Sequence, residues 1–442
     1  MKTASRPLNR RQFIQRAGFI AGAAPLILSP RLWAETPPSE KMRLGFVGNG
    51  MQGKGLMHGF LGREDATVAA VCDVDSDRRN DAKGIVDKHY AERGGGGAAG
   101  GCAAYNDFRQ LIDRKDIDGV VIATPDHWHA LVSIAAAEAG KDIYCEKPMA
   151  HTIHEGRAMV KAMRKHKRIL QVGSMQRSMA EFRIACELVR NGCIGDVKTA
   201  DVAVGGPMIP CDLPGEPEQP GLDWDRWLGP APLRPYNSVL SPRGVHKHFP
   251  DWRKYLEYGG GQVSDWGAHH FDIVQWAFGF DNTGPVEIIA AGQPGAQEGA
   301  KVCYENGLVV THRAGNGVTF YGDKGKIYVN RGQFKLWLGD QLKTEDVREA
   351  HLVAKDLLPS NAVRLYESNN QLSDWLKCVK SRQLPICDVE TGHRTATICA
   401  LVNLSYLHTT SIKWDPAHEK FRDGTGEAAW LTREYRAPWK VA

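Results

Sequence analysis

The chain has 442 residues, a formal charge of +5 and an ordinary globular composition, 42% hydrophobic and 24% charged. This length exceeds what one hydrophobic core usually serves, so two domains are expected. Lys2, Arg6, Arg10, Arg11, Arg16 and Arg31 stand near the start with no acid among them, and removing those six basic residues takes +5 to −1, which excludes a nucleic-acid or anionic-membrane surface on the rest.

Residues 1–34 read as a leader. Asn9-Arg10-Arg11-Gln12-Phe13-Ile14 is a twin-arginine pattern, residues 17–28 are apolar, and Leu32-Trp33-Ala34 offers a cleavage site. The apolar stretch holds roughly a dozen residues against the about 20 a spanning helix needs, so export to the periplasm by the twin-arginine route is expected, an uncleaved tether being the alternative. No stable membrane span is expected after the leader. The ten cysteines show no CxxC pair and no Cys/His metal spacing. Export after folding in a reducing cytosol predicts mostly free thiols.

Short apolar runs at 44–47, 68–72, 120–123, 143–145 and 169–172 alternate with amphipathic stretches, which predicts βαβ units on a parallel sheet. The glycine run 94–101 reads as a surface insertion. A helix is predicted over 180–190 and a strand over 197–204. Residues 205–257, rich in Pro, Gly and Trp, form a loop long enough to be functional. Strand-type alternation follows at 286–291, 308–312, 318–321, 326–329 and 334–338, then helices near 370–379 and 393–407 that should pack back on the first domain. The expected fold is α/β: an N-terminal Rossmann dinucleotide-binding domain (42–172), a C-terminal α+β domain with a large, mostly antiparallel open sheet (173–420) and a tail (421–442).

Five segments carry chemistry. Gly48-Asn49-Gly50-Met51-Gln52-Gly53 follows the first strand and opens a helical stretch, where backbone amides would hold a pyrophosphate. Asp73 ends the next strand, where a carboxylate accepts hydrogen bonds from an adenosine ribose; Val74 and Asp75 follow with no adjacent arginine for a 2′-phosphate, which favours NAD over NADP. Thr124-Pro125-Asp126-His127-Trp128-His129 lies at another strand's carboxyl edge, and its two histidines lack a third ligand at metal spacing. Glu146-Lys147-Pro148 puts a lysine where open sheets bind ligands, and Asp265-Trp266-Gly267-Ala268-His269 places an acid and a base one helical turn apart.

Together with Ala123-Thr124-Pro125 and Lys413-Trp414-Asp415-Pro416, these segments resemble the Gfo/Idh/MocA oxidoreductase family over nearly the whole chain after the leader. The resemblance implies cofactor contacts from Gly48, Asn49, Gly50, Met51, Gln52, Gly53, Asp73, Thr124, Pro125, His129, Glu146 and Lys147. It implies three catalytic residues. Lys147 would hydrogen-bond the reacting hydroxyl and stabilise developing alkoxide, His269 would take the hydroxyl proton, and Asp265 would hold a neighbouring hydroxyl and orient the base. A helix N-terminal cap is the plainer reading of Asp265. Gln176, Arg177, His246, Trp252 and Arg253 are candidate sugar contacts, each equally readable as a loop or packing residue. The resemblance also implies a dimer or tetramer formed through the open sheet face.

An exported protein cannot easily recycle a dissociable NADH, so a tightly held cofactor that returns to its starting state is expected. The first function is oxidation of a ring hydroxyl of a sugar or cyclitol. The alternative is redox-neutral glycoside cleavage by oxidation, elimination, water addition and reduction. Gly259-Gly260-Gly261-Gln262 is closer to the family's dehydrogenase pattern than to the Gly-Gly-His-Tyr type of its glycosidases. A noncatalytic sugar sensor is the third reading.

Overall fold

The computed structural model describes residues 40–94 and 101–441. The expected leader and the centre of the glycine run lie outside them. Six parallel strands form the first sheet: β1 (Met42–Val47), β2 (Ala66–Cys72), β3 (Ala103–Tyr105), β4 (Gly119–Ile122), β5 (Asp142–Cys145) and β6 (Leu170–Val172), in the order β3-β2-β1-β4-β5-β6. All seven residues of β2 are buried, as expected of a strand covered by helices on both faces. The short edge strand β3 was not anticipated; its three half-exposed residues carry no apolar run.

Helices α1 (Met51–Leu61), α2 (Ser76–Glu92), α3 (Phe108–Ile112), α4 (Asp126–Glu138) and α5 (Ile153–His166) cover this sheet. The strand order reverses between β1 and β4, and this opens a crevice at their carboxyl ends. α5 starts on a reciprocal cap: the Thr152 hydroxyl accepts the Glu155 amide, and the Glu155 carboxylate accepts the Thr152 amide.

The second sheet has ten strands. They are β7 (Val197–Ala203), β8 (Glu287–Ile289), β9 (Lys301–Cys303), β10 (Val309–Arg313), β11 (Gly317–Gly322), β12 (Gly325–Asn330), β13 (Gln333–Leu338), β14 (Gln341–Thr344), β15 (Ile412–Asp415) and β16 (Lys420–Phe421). β7 and β10 run parallel and the other pairings are antiparallel. One face packs on α6 (Ala180–Arg190), which lies where the periodicity predicts it, through Phe182, Leu188, Val202, Phe320 and Leu336. The short strands β9, β14 and β15 were missed because three or four residues carry too little alternation.

α7 (Trp224–Leu228), α8 (Gly261–Asp265), α9 (Gly267–Phe278) and α10 (Ala350–Leu357) precede two C-terminal helices, α11 (Gln371–Ser381) and α12 (Val389–His408). α11 returns to the first sheet, where the fully buried Trp375 meets Phe60 and Tyr144 edge-on at 5.7 and 5.9 Å. α12 packs on α5, with Arg157 paired to Glu390 at 2.7 Å and to Glu419 at 2.6 Å.

Residues 205–257 are ordered around a small aromatic core of Trp224, Trp227, Tyr236 and Tyr258. The segment is tied to the first domain. Ser76 N donates to Gly221 O at 2.8 Å, Asp223 N to Val74 O at 3.0 Å and Gly244 N to Asp75 Oδ2 at 2.8 Å, while Arg243 pairs with the same buried Asp75. It therefore crosses the crevice as a strap. All ten cysteines are free, and no helix among the described residues is long and apolar enough to cross a membrane.

Candidate active site

The glycine fingerprint has the shape a dinucleotide needs. Gly48 adopts φ +86°, and a Cβ on it would lie 2.6 Å from the Ala123 carbonyl oxygen. One on Gly53 would lie 2.0 Å from Gly48 O, so this glycine serves close packing of α1 on the turn. A Cβ on Gly50 would meet nothing within 4 Å. Gly50 thus marks the open side of the turn, where backbone can approach a pyrophosphate, and no side chain caps the first amides of α1. Asn49 is fully buried and holds the turn by donating from Nδ2 to Cys72 O at 2.8 Å.

Asp73 lines the cleft at the end of β2. Its carboxylate accepts Asn49 N at 2.7 Å and Asp75 N at 2.9 Å. Burial nevertheless raises it above the usual carboxylate range, against the pull of Arg78 and those amides. Further lone pairs remain for ribose hydroxyls. Arg78 also lines the cleft, but its guanidinium donates to Gly244 O at 3.0 Å and to Pro242 O. The roof comes from the strap, through Leu240, Ser241, His246, Phe249 and Trp252, and from Trp439 of the tail, 4.8 Å from Trp128. Met51, Thr124 and Pro125 line the same cleft.

A second cavity of about 300 Å³ adjoins it, sharing Gln52, Ala123, Thr124, Trp252 and Arg253 as a common wall. Lys147 enters this cavity from the end of β5. Its Nζ donates to Asp265 Oδ1 at 2.5 Å and to Asp265 O at 2.8 Å. Burial pushes the Asp265 carboxyl up, but Lys147 and Arg253 more than offset it and hold the group below its usual range. Arg253 Nε stands 3.8 Å from Asp265. Glu146 accepts Gln52 Nε2 at 2.8 Å, and burial raises its carboxyl despite Lys147 beside it. His129 lies between two backbone carbonyls, Pro148 O at 2.8 Å and Thr124 O at 2.9 Å, and its neutral ring donates to one of them according to tautomer.

His269 lines the cavity at 4% exposure. Burial first, then Lys147 and Arg331, push its pKa far below the usual value, so the ring is neutral near neutral pH. Its Nδ1 is buried without a partner. The sequence reading is corrected here. Asp265 ends α8 while His269 lies in α9, and Trp266 forms the break between them. Asp265 is therefore neither a helix N-terminal cap nor a hydrogen-bond partner of His269; its carboxylate is committed to Lys147.

Two further expectations fail. Arg177 is 1% exposed and sealed in an ion triad, with Asp272 of α9 at 2.8 Å and Asp281 at 2.6 Å, which makes it a structural anchor for α9 rather than a sugar contact. Gln176 is fully buried and lines neither cavity; its neighbour Met175 does. His246 lines the dinucleotide cleft and not the second cavity, whereas Trp252 and Arg253 line both. His127 fastens the strap through Trp227 O at 3.0 Å, and no metal-binding group of side chains occurs among the described residues.

Two cavity residues escaped the sequence reading. Asp126, the first residue of α4, is 5% exposed, and burial together with Asp265 raises its carboxyl well above the usual range. Arg331 projects from the turn between β12 and β13. Asp126 lies inside the Thr124–His129 motif, beside the proline and aromatics that mark it. No local pattern marks Arg331.

Comparison with known proteins agrees with this architecture. Residues 42–174 match the family model described as oxidoreductase family, NAD-binding Rossmann fold, and residues 211–441 match the model of its C-terminal alpha/beta domain. The chain belongs to the Gfo/Idh/MocA oxidoreductase family. An inositol 2-dehydrogenase of Salmonella paratyphi B is 31% identical over 156 residues, 35% of this chain and 43% of that protein. A glycosyl hydrolase family 109 protein of Shewanella pealeana is 27% identical over 213 residues, 44% of this chain and 46% of that protein. The chain thus spans less than half the length of each of these curated relatives. The crystal structure of an aldose-aldose oxidoreductase from Caulobacter crescentus, complexed with glycerol, superposes with a TM-score of 0.58 at 19% identity, covering 84% of this chain and 99% of that one. At that identity the likeness concerns the fold. As a Gfo/Idh/MocA member, the chain carries an NAD-binding Rossmann domain followed by a C-terminal α/β domain with a large, mostly antiparallel sheet.

Proposed function

We propose that this protein oxidises a ring hydroxyl of a sugar or cyclitol, using NAD held under the strap. The carrying observation is that the cavity containing Lys147, Asp265 and His269 shares a wall with the dinucleotide cleft. A bound nicotinamide supplies the two-electron acceptor for the carbinol hydrogen. Lys147 hydrogen-bonds the reacting oxygen and stabilises negative charge developing on it. His269, neutral through burial, accepts the hydroxyl proton. Asp265 holds the ammonium in place, and Trp252 adds an apolar side chain to the cavity wall.

NAD rather than NADP is favoured because Asp73 faces the cleft and Arg78 is committed to the strap. The enclosing strap supports a retained cofactor, which would suit export by the leader expected at residues 1–34. Mass spectrometry of denatured, dialysed protein tests this reading, with near-stoichiometric NAD expected. Absence of NAD, together with no NADH formed from any sugar or cyclitol when NAD is added, would defeat it.

A second reading, redox-neutral glycoside cleavage, is favoured by Asp126. A carboxyl on the cavity wall whose pKa burial raises well above the usual range is suited to donate to a departing aglycone oxygen, a function simple hydroxyl oxidation does not need. Aglycone release without NADH accumulation would establish it over the first.

A further inference from the structure

Among the described residues Arg331 has no ion-pair or side-chain hydrogen-bond partner, although it lines the cavity of Lys147 and its Nε is buried. The residue is built into place. Its backbone amide donates to Asn330 Oδ1 at 2.8 Å, and the next residue, Gly332 at φ +66°, donates its amide to Glu181 Oε1 at 3.0 Å, which pins the turn to α6. Its guanidinium carbon stands 4.7 Å from the centre of the Trp266 ring, a platform that limits its orientation.

The other cations of the cavity are already engaged. Lys147 is paired with Asp265, and Lys254 with Asp251 at 2.6 Å. Arg253 stands 3.8 Å from Asp265 and donates to Pro250 O at 3.1 Å, over the rings of Trp252 and Phe249. Glu146 and Asp265 act on Arg331 through space, but neither hydrogen-bonds it, and its Nε is buried without an acceptor. A carboxylate matches its fork with two parallel N–H donors, which a single hydroxyl does not.

We propose that Arg331 forms a carboxylate subsite and that the substrate is a sugar acid, a uronate or a glycoside of one. This inference rests on the carbohydrate reading above and narrows it. Sharing the cavity with the Lys147–Asp265 pair, it can anchor the acid group while a ring hydroxyl reaches Lys147. Burial lowers the guanidinium pKa from its ordinary value, and Glu146 and Asp265 offset this only in part.

The test is calorimetric binding to the NADH-loaded protein, which holds no hydride acceptor, of D-glucuronate and D-galacturonate against D-glucose and D-galactose. At least one acid is expected to bind about tenfold or more tighter than its neutral counterpart. Arg331→Gln should remove most of that preference and leave neutral-sugar affinity within about twofold, while Arg331→Lys, a point charge without the fork, should fall between. Neutral sugars binding as tightly as the acids, or Arg331→Gln weakening both equally, would overturn the subsite alone. Binding of none of the four, with NADH still retained, would overturn the subsite and the carbohydrate reading together.

Discussion

Lys147 and Asp265 satisfy one another in a largely buried pair, and removing Lys147 strands the Asp265 carboxylate near Asp126 and Glu146. Lys147→Ala is expected to lower kcat by about 10² to 10³ while NAD content is unchanged, which separates loss of chemistry from loss of the cofactor site. Asp126 makes a prediction with the opposite sign for stability. Its folded-state pKa is raised, so as pH rises above the unfolded carboxyl value of about 3.9 the unfolded chain releases a proton the native state retains, and stability falls. Asp126→Asn should therefore melt higher than wild type near neutral pH, with the difference vanishing in acid.

Histidines give the reverse. Burial depresses His127 to about 3, His129 to about 4 and His270 to about 4. Below the unfolded value of about 6.5 the unfolded chain takes up protons the native state refuses, so stability is lost as pH falls from there towards 4, on the order of 1 kcal/mol per histidine per pH unit. Denaturant titrations at stepped pH read this slope. At this scale Gly48, Gly50, Gly53, Asp73, Lys147 and His269 were legible because motif spacing marks them. Arg177 was misread because its role depends on Asp272 and Asp281, about a hundred positions away.

Among the elements, the strap decides how the cofactor is held. Asp75 is its main anchor: the buried carboxylate caps α2 and receives both Gly244 N and Arg243 from the strap. Arg243→Ala should leave the Rossmann turn intact yet release NAD on dialysis, seen as a lower NAD content per subunit than in the wild type. Buried strands such as β2 and amphipathic helices such as α6 were readable from periodicity over seven to eleven residues. The break at Trp266 was not, since Asp265 to His269 has ordinary helical spacing and only the packing of α8 and α9 separates them. The ordering of residues 205–257 was half legible: their aromatics argued for structure, but nothing local said which surface they would cover.

Among the described residues, the ten-stranded sheet packs α6 on one face and carries exposed side chains on the other. Tyr321 is 39% exposed there, and Lys326 lies over the Trp337 ring at 4.5 Å. Light scattering is expected to report a dimer or tetramer formed through this face, and Tyr321→Arg to shift it towards monomer. By itself the sequence determined the parallel sheet, the dinucleotide turn and the lysine at the end of β5, because each follows from turn chemistry and apolar periodicity within a few residues. Only the tertiary structure decided that Lys147 meets Asp265, 118 positions on, and that Asp126 and Arg331 share their cavity. Those neighbours come from a helix start, a helix break and a hairpin turn, brought together by the packing of two sheets rather than by any spacing along the chain.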